Sequence, residues 1–223
     1  MKSKVIKMIE KLKKSPFLGS LPASLIEEIS TFCSVKYFVK DEVLYYENDE
    51  LDTIYYILDG SIKFYKVDRF DNEIFLYKLS ENSLIFDLSK LCEEFILQCF
   101  ANAEFLEDSE ILSIDAKKFK ELMSRSPELM RRVMKESFLM IQQMQCIISR
   151  DIVFDGTAKV AHMIDNDLEY FNILKKHEIA YMLHMQPETL SRIIKKLTRN
   201  NIIKMENSQV IVLERESLRE IYT

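Results

Sequence analysis

Glycine is nearly absent from this chain, and its scarcity removes whole classes of chemistry. Only Gly19, Gly60 and Gly156 occur in 223 residues, so no glycine-rich phosphate cradle of the dinucleotide or P-loop kind can be built. Histidine is as scarce. His162, His177 and His184 all lie in the last third, and none has a second histidine or acid beside it at metal-ligand spacing. The four cysteines, Cys33, Cys92, Cys99 and Cys146, are too scattered for a disulfide framework or a Cys-x-x-Cys metal site, so reduced thiols are expected. No apolar run approaches the 18 or more residues of a membrane span, and the start, MKSKVIKMIEKLKK, has no uninterrupted apolar segment. A cytoplasmic protein is the expectation. No Ser/His/Asp, Cys/His or paired-carboxylate arrangement stands out, so enzymatic activity is not signalled. A net charge of -5 and a pI near 5.4 argue against a whole-surface nucleic-acid binder and leave room for one focused basic site.

Such a site is present. Ile179 to Leu197, IAYMLHMQPETLSRIIKKL, reads as two short helices joined by a tight turn. The first buries Ile179, Ala180 and Leu183, the turn points Met185 inward, and the second buries Leu190, Ile193, Ile194 and Leu197 at three- and four-residue spacing. Pro187 suits the first turn of the second helix, where its missing N–H costs nothing. Glu188, Thr189, Ser191, Arg192, Lys195, Lys196 and Arg199 are left on the outer face, able to reach base edges and phosphates. From Lys175 to Lys204 seven basic residues face two acidic ones, a local balance of +5 in an acidic chain. A cationic patch of that kind marks where a polyanion docks.

The rest of the chain divides by periodicity, and its length suits two domains. Ser34 to about Ser80 holds short segments rich in Val, Ile, Tyr and Phe, namely VKYFV, EVLYYE, TIYYIL, SIKFYKV and EIFLYKL, which predict strands of an antiparallel roll. Asp59-Gly60, between TIYYIL and SIKFYKV, predicts a two-residue hairpin. After a strand near Glu110 to Ile114, the segment AKKFKELMSRSP turns helical and ends at Pro127. A long helix is predicted from about Glu128 to Val153. It carries Val133, Ser137, Met140, Met144 and Ile147 at alternating four- and three-residue spacing, with a second row of Met134, Phe138, Ile141 and Ile148. The first row is the predicted dimer interface. Asp155-Gly156 marks a hinge before the nucleic-acid reader. The predicted boundaries are residues 1–126 for the roll with flanking helices, 127–153 for the dimerisation helix and 154–223 for a winged helix-turn-helix.

The order of strand roll, long helix and helix-turn-helix resembles the Crp/Fnr family of bacterial transcription regulators. SPFLGSLPASLIEEI, then KDEVLYYENDELDTIYYILDGSIKFYKV, follow the family's pattern in the roll, while TAKVAHMI and EIAYMLHMQPETLSRIIKKLTRNNII follow its C-terminal domain. The resemblance implies an α+β chain: an N-terminal antiparallel β-roll like a cyclic-nucleotide-binding domain, a long dimerisation helix and a C-terminal winged helix-turn-helix. It implies a homodimer on a palindromic site in double-stranded DNA, with RNA polymerase as a further partner. The Glu-x-x-Ser-Arg pattern of the family falls on Glu188, Ser191 and Arg192, which implies base contacts on half-sites like the Fnr-type TTGAT. Phosphate contacts fall to Lys176, Thr189, Lys195 and Lys196.

The departures bear on the signal. Cyclic-nucleotide members hold the phosphate with a Gly-Glu pair followed by Arg-Ser or Arg-Thr, where this chain has Phe86-Asp87 and Leu97-Gln98. Without arginine there is no fork for a phosphodiester, so cyclic AMP is not expected. No cysteine precedes Cys33, so an iron–sulfur cluster is not expected either. The effector pocket falls on Phe86, Asp87, Leu97 and Cys99, and the effector itself stays open. Haem is compatible with Cys or Met as axial ligand, although the roll contains no histidine. The family includes nitrosative-stress regulators lacking both motifs, which makes a stress signal the preferred class. Cys92 and Cys99 in LCEEFILQCF also leave the alternative of a thiol-based redox enzyme or sensor.

Overall fold

The computed structural model describes residues 2–85 and 97–223. The chain forms two compact units, Met1–Met140 and Ile141–Thr223. The first opens with helices α1 (Lys2–Lys14) and α2 (Ala23–Ser30) and continues through strands β1 (Cys33–Phe38), β2 (Val43–Tyr45), β3 (Glu50–Leu51), β4 (Thr53–Asp59) and β5 (Ser61–Val67). Strands β6 (Glu73–Ser80), β7 (Leu84–Ile85), β8 (Leu97–Gln98), β9 (Asn102–Phe105) and β10 (Ser109–Asp115) follow, then helix α3 (Ala116–Arg125) and the long helix α4 (Pro127–Ile148). Two antiparallel sheets, ordered β1-β10-β4-β7 and β2-β9-β5-β6, form the roll, with β3 paired to β8.

Strand β4, TIYYILD, buries both faces, which is why it reads as a continuous apolar run and not as an alternation. Ile54 and Tyr56 pack outward with Leu112 and Ile114 of β10 against Leu12, Phe17, Ile26, Phe119 and Leu122 of the helices and the loop after α1. Tyr55 and Ile57 face the roll interior with Phe64, Cys99, Ala103, Phe105 and Ile111.

Asp59-Gly60 does not make the predicted hairpin. β4 and β5 lie in different sheets and do not pair, so the dipeptide is a corner at which the chain crosses from one sheet to the other. Gly60 has φ +94, and a Cβ there would stand 2.1 Å from Ser109 Oγ. The positive φ was legible, but a single left-handed residue turns a corner where a two-residue hairpin needs a pair. The hairpin is β5–β6. Its loop is held by the Asp68 carboxylate, which accepts from Phe70 N at 2.7 Å and Asn72 N at 3.0 Å.

Helix α4 starts at Pro127 after Ser126, whose Oγ accepts from Leu129 N at 3.3 Å, the expected arrangement for proline at the first helical position. The α-helix ends at Ile148 and a π-helical turn, Ser149–Val153, completes the run that the sequence presents as one helix. Val133 is 4 % exposed and belongs to the core of its own unit with Leu129, which corrects its assignment to a dimer surface. Ser137 is half-buried and returns its hydroxyl to Val133 O at 2.9 Å. Met140, Met144 and Ile147 are half-buried, whereas Met134, Phe138, Ile141 and Ile148 are exposed.

The second unit contains α5 (Gly156–Asn166), α6 (Leu168–Ile173), α7 (Lys176–Met182), α8 (Pro187–Arg199), the hairpin β11 (Ile203–Glu206) with β12 (Gln209–Val212), and α9 (Arg215–Arg219). Its core joins Val160, Ala161 and Ile164 of α5 to Ile179 and Ala180 of α7 and to Leu190, Ile193, Ile194 and Leu197 of α8. Among the described residues no helix is long and apolar enough to cross a membrane.

Candidate nucleic-acid interface

Helix α8 is the most strongly two-faced element of the second unit. Leu190, Ile193, Ile194 and Leu197 are buried, while Glu188, Arg192, Lys195, Lys196 and Arg199 are exposed and Thr189 and Ser191 half-buried. Its start is set by Pro187 at the first helical position. The preceding turn reverses through His184 at φ +53, a left-handed conformation that non-glycine residues adopt sparingly, and delivers Met185 against the core. Helix α7 begins with Lys175 N donating to Glu178 Oε2 at 2.6 Å, a carboxylate at the positive end of the helix. Lys176 sits exposed in that first turn.

Glu188, Thr189, Ser191 and Arg192 therefore lie together at the N-terminal half of one helix, with Lys195 and Lys196 one turn further on. Arg192 Nη2 donates to Thr189 Oγ1 at 3.1 Å, one turn back. That bond uses a lone pair of the hydroxyl, so Thr189 steadies the guanidinium and keeps its own proton as a donor. Sequence spacing placed Thr189 on the outer face but not this bond.

Behind the turn, Asp151 of the π-turn collects cations. Its Oδ1 accepts from Arg150 Nε at 2.9 Å and its Oδ2 from Arg150 Nη2 at 3.0 Å, with Lys159 Nζ at 3.7 Å and His184 Nε2 at 3.8 Å. Burial pushes the Asp151 carboxyl up, but the Arg150 hydrogen bonds and the nearby cations carry it below the usual range. Burial also holds the His184 imidazole below its ordinary value, against the pull of Asp151. Gly156, expected at a hinge, has a packing reason: an added Cβ would stand 3.3 Å from Ile193 Cδ1, so α5 approaches the buried face of α8 closely there. Asp155 caps α5 by accepting from Ala158 N at 2.8 Å.

Two further features complete this unit, the first being the wing of the expected winged helix-turn-helix, whose strands were not assigned to residues. The β11–β12 hairpin turns through Asn207 and Ser208, both with positive φ, as a two-residue hairpin requires; the alternating IKME and QVIV segments around a polar pair carried that signal. The carboxylate of Asp165, 3 % exposed, accepts from Arg215 Nε at 2.6 Å, Arg219 Nε at 2.8 Å and Tyr222 Oη at 2.7 Å. The bonds from Arg219 and Tyr222 hold its carboxyl far below the usual range and fasten α9 to α5. No local pattern signals a contact across fifty residues.

Phe86, Asp87 and Cys92 lie outside the described residues, and Leu97 is described only as part of β8. Cys99 is buried in the roll interior. Ser113 Oγ is also buried, on the β10 face shared with Ile111, and has no hydrogen-bond partner among the described residues. Burial pushes the Cys33 thiol up to about 12, far from the reactive range. Among the described residues no cluster of three or more His, Cys, Asp or Glu could hold a metal ion.

Residues 35–126 match the cyclic nucleotide-binding domain and residues 159–221 the Crp-like helix-turn-helix domain. The chain is similar to the cAMP-activated global transcriptional regulator CRP of Salmonella typhimurium, at 21% identity over 197 residues, covering 84% of this chain and 93% of the relative. It is similar also to the fumarate and nitrate reduction regulatory protein of Yersinia pestis, at 22% identity over 194 residues, covering 82% and 76%. Among solved structures, FixK2 from Bradyrhizobium japonicum has a TM-score of 0.68 at 14% identity, covering 86% of this chain and 98% of that one, a likeness of fold. These relatives are regulators, and they lend the thiol redox enzyme no support.

Proposed function

The chain belongs to the Crp/Fnr family of DNA-binding transcription regulators, and from that premise we propose that it reads a palindromic operator as a two-fold dimer through Glu188, Ser191 and Arg192. The observation that carries this reading is α8, whose apolar face is buried while these side chains and Lys195 and Lys196 share the opposite face. Glu188 accepts from a cytosine N4 and Arg192, steadied by Thr189, donates to guanine O6 and N7. Lys176, Thr189, Lys195 and Lys196 hold phosphates. The dimer forms through α4, with exposed Met134, Phe138, Ile141 and Ile148 as the seam. On this reading residues 1–126 receive the signal, 127–153 join the subunits and 154–223 bind DNA. Arg192→Ala should cost about 1 to 3 kcal/mol on the operator and little on random DNA, whereas Lys195→Ala should weaken both alike and lower the salt slope by about one. Titration of both variants on both DNAs at several salt concentrations tests this, and equal loss on both DNAs for Arg192→Ala would refute its role.

The same chain departs from its cyclic-AMP-activated relatives in the roll, and we propose that its effector is not a cyclic nucleotide. No arginine occurs between Arg69 and Arg125. Among the described residues the buried polar side chains of the strands are Asn102, Ser109 and Ser113, none of them charged. A phosphodiester carried into this aromatic interior would meet no buried cation among the described residues, a cost that outweighs what purine stacking returns. A largely apolar effector is the class such an interior accommodates. Calorimetry with cyclic AMP should show no saturable heat; micromolar binding coupled to tighter operator binding would overturn this reading.

A further inference from the structure

A cleft of about 220 Å³ opens between α1 and the outer surface of the roll, lined by Lys11, Lys14, Ser15, Leu58, Asn82 and Glu110. It lies within the first unit and shares no residue with the roll interior around Cys99. Five separate segments of chain build it: α1, the turn after it, β4, the β6–β7 turn and β10.

The balance of donors and acceptors in this cleft is uneven. Glu110 is the carboxylate among its lining residues, and Lys11 pairs with it while also donating to Tyr37 Oη at 3.0 Å. Ser15 is buried, and its Oγ accepts from Leu18 N at 3.2 Å. Asn82 is held at φ +65 in the turn between β6 and β7, its own N–H bonded to Ile57 O at 2.8 Å. Its Oδ1 accepts from Tyr56 Oη at 3.3 Å, and Tyr56 is a fully buried ring stacked on Phe17. The amide of Asn82, itself exposed, is positioned by that bond, and its Nδ2 has no acceptor among the described residues. Lys14, exposed at the end of α1, has no salt-bridge partner among them. The lining thus offers an exposed ammonium and an exposed amide NH₂ beside the Lys11–Glu110 pair, two cations to one carboxylate, in a chain of net charge -5.

We propose that this cleft binds a compact organic anion, a carboxylate- or phosphate-bearing metabolite, between Lys14 and the Asn82 amide, with the Lys11–Glu110 pair as one wall. Its volume is below the range of drug-sized pockets and limits the ligand to roughly ten non-hydrogen atoms. This site is independent of DNA reading, so its test needs no operator. Full-length protein is titrated by calorimetry with inorganic phosphate and with succinate, at constant ionic strength. One probe should saturate at one per chain in about the millimolar range, and preference between them assigns the phosphate or carboxylate class. Lys14→Gln, at an exposed position, and Asn82→Gly, which keeps the positive φ, should each weaken binding at least about fivefold. Glu110→Gln removes the competing carboxylate and should tighten it, a sign that loose attraction to surface lysines would not single out. Melting curves show that each variant is folded. If neither probe saturates, if Lys14→Gln and Asn82→Gly bind like the parent, or if Glu110→Gln binds more weakly, the proposal fails.

Discussion

The DNA reader and the roll carry their functions in opposite ways. In α8 thirteen consecutive residues hold both the structural and the functional message, with Leu190, Ile193, Ile194 and Leu197 turned inward and Glu188, Arg192, Lys195 and Lys196 outward. A helix that presents one face to its core must present the other to solvent, so its chemistry is written at a period of 3.6. In the roll, β4 and β10 bury both faces, and the interior is assembled from Tyr45 through Ile111, residues far apart in sequence. Such strands show where the core is but not what it encloses. The same apolar composition fits a packed interior and an effector cavity, and the distinction rests on single side chains such as Ser113.

Helix α4 belongs to both regimes and offers the largest expected effect. Its N-terminal turns place Leu129 and Val133 in the core of the first unit, while Phe138 is 60 % exposed and Ile148 56 %. Met134, Phe138, Ile141 and Ile148 follow a heptad seam, with Gln145 at the position between the last two. Phe138→Asp or Ile141→Asp would put an unpaired charge into that seam, giving monomers by light scattering at micromolar concentration. Operator affinity should then fall about a thousandfold or more, toward that of non-specific binding, since one recognition helix cannot span half-sites about 34 Å apart. Val133→Asp should instead damage the folded roll. If Phe138→Asp stays dimeric while Met144→Asp dissociates, the seam follows the row of Met140, Met144 and Ile147.

What could be read in advance follows the same division. The helix-turn-helix was legible because Pro187, the buried spacing and the charge contrast agree locally. The strands were legible as strands, yet their pairing was not. Asp59-Gly60 carries the signal of a hairpin but serves as a corner between sheets, because partner choice is decided by Ser109 and the second sheet, far along the chain. The long helix was legible in extent but not in its π-helical last turn. Which of its two apolar rows faces its own core was also hidden, since both rows have nearly the same periodicity. Gly156 was noticed, but its cause, the approach to Ile193, depends on two helices meeting.

The smallest effect concerns whether the reader's unit can be loosened without touching the roll. Asp165 is the buried carboxylate that fastens α9 to α5 through Arg215, Arg219 and Tyr222, and all four residues lie in the second unit. Asp165→Asn removes the charge and leaves those donors with a weaker acceptor. Because both arginines are more than half exposed and can turn to water, the cost should be about 2 kcal/mol. Hydrogen exchange should rise for amides of α5 and α9 and stay unchanged in β4 and β5. The pH dependence has a definite sign. The Asp165 carboxyl is held below its ordinary value in the folded state, so its stabilisation is complete above the unfolded value near 4 and is lost as pH falls below it. The stability gap between parent and variant should therefore be full at pH 7 and narrow on acidification below about pH 4. A gap that widens in acid, or exchange that rises in β4 as much as in α5, would show that this carboxylate does not act on the second unit in the way its contacts imply.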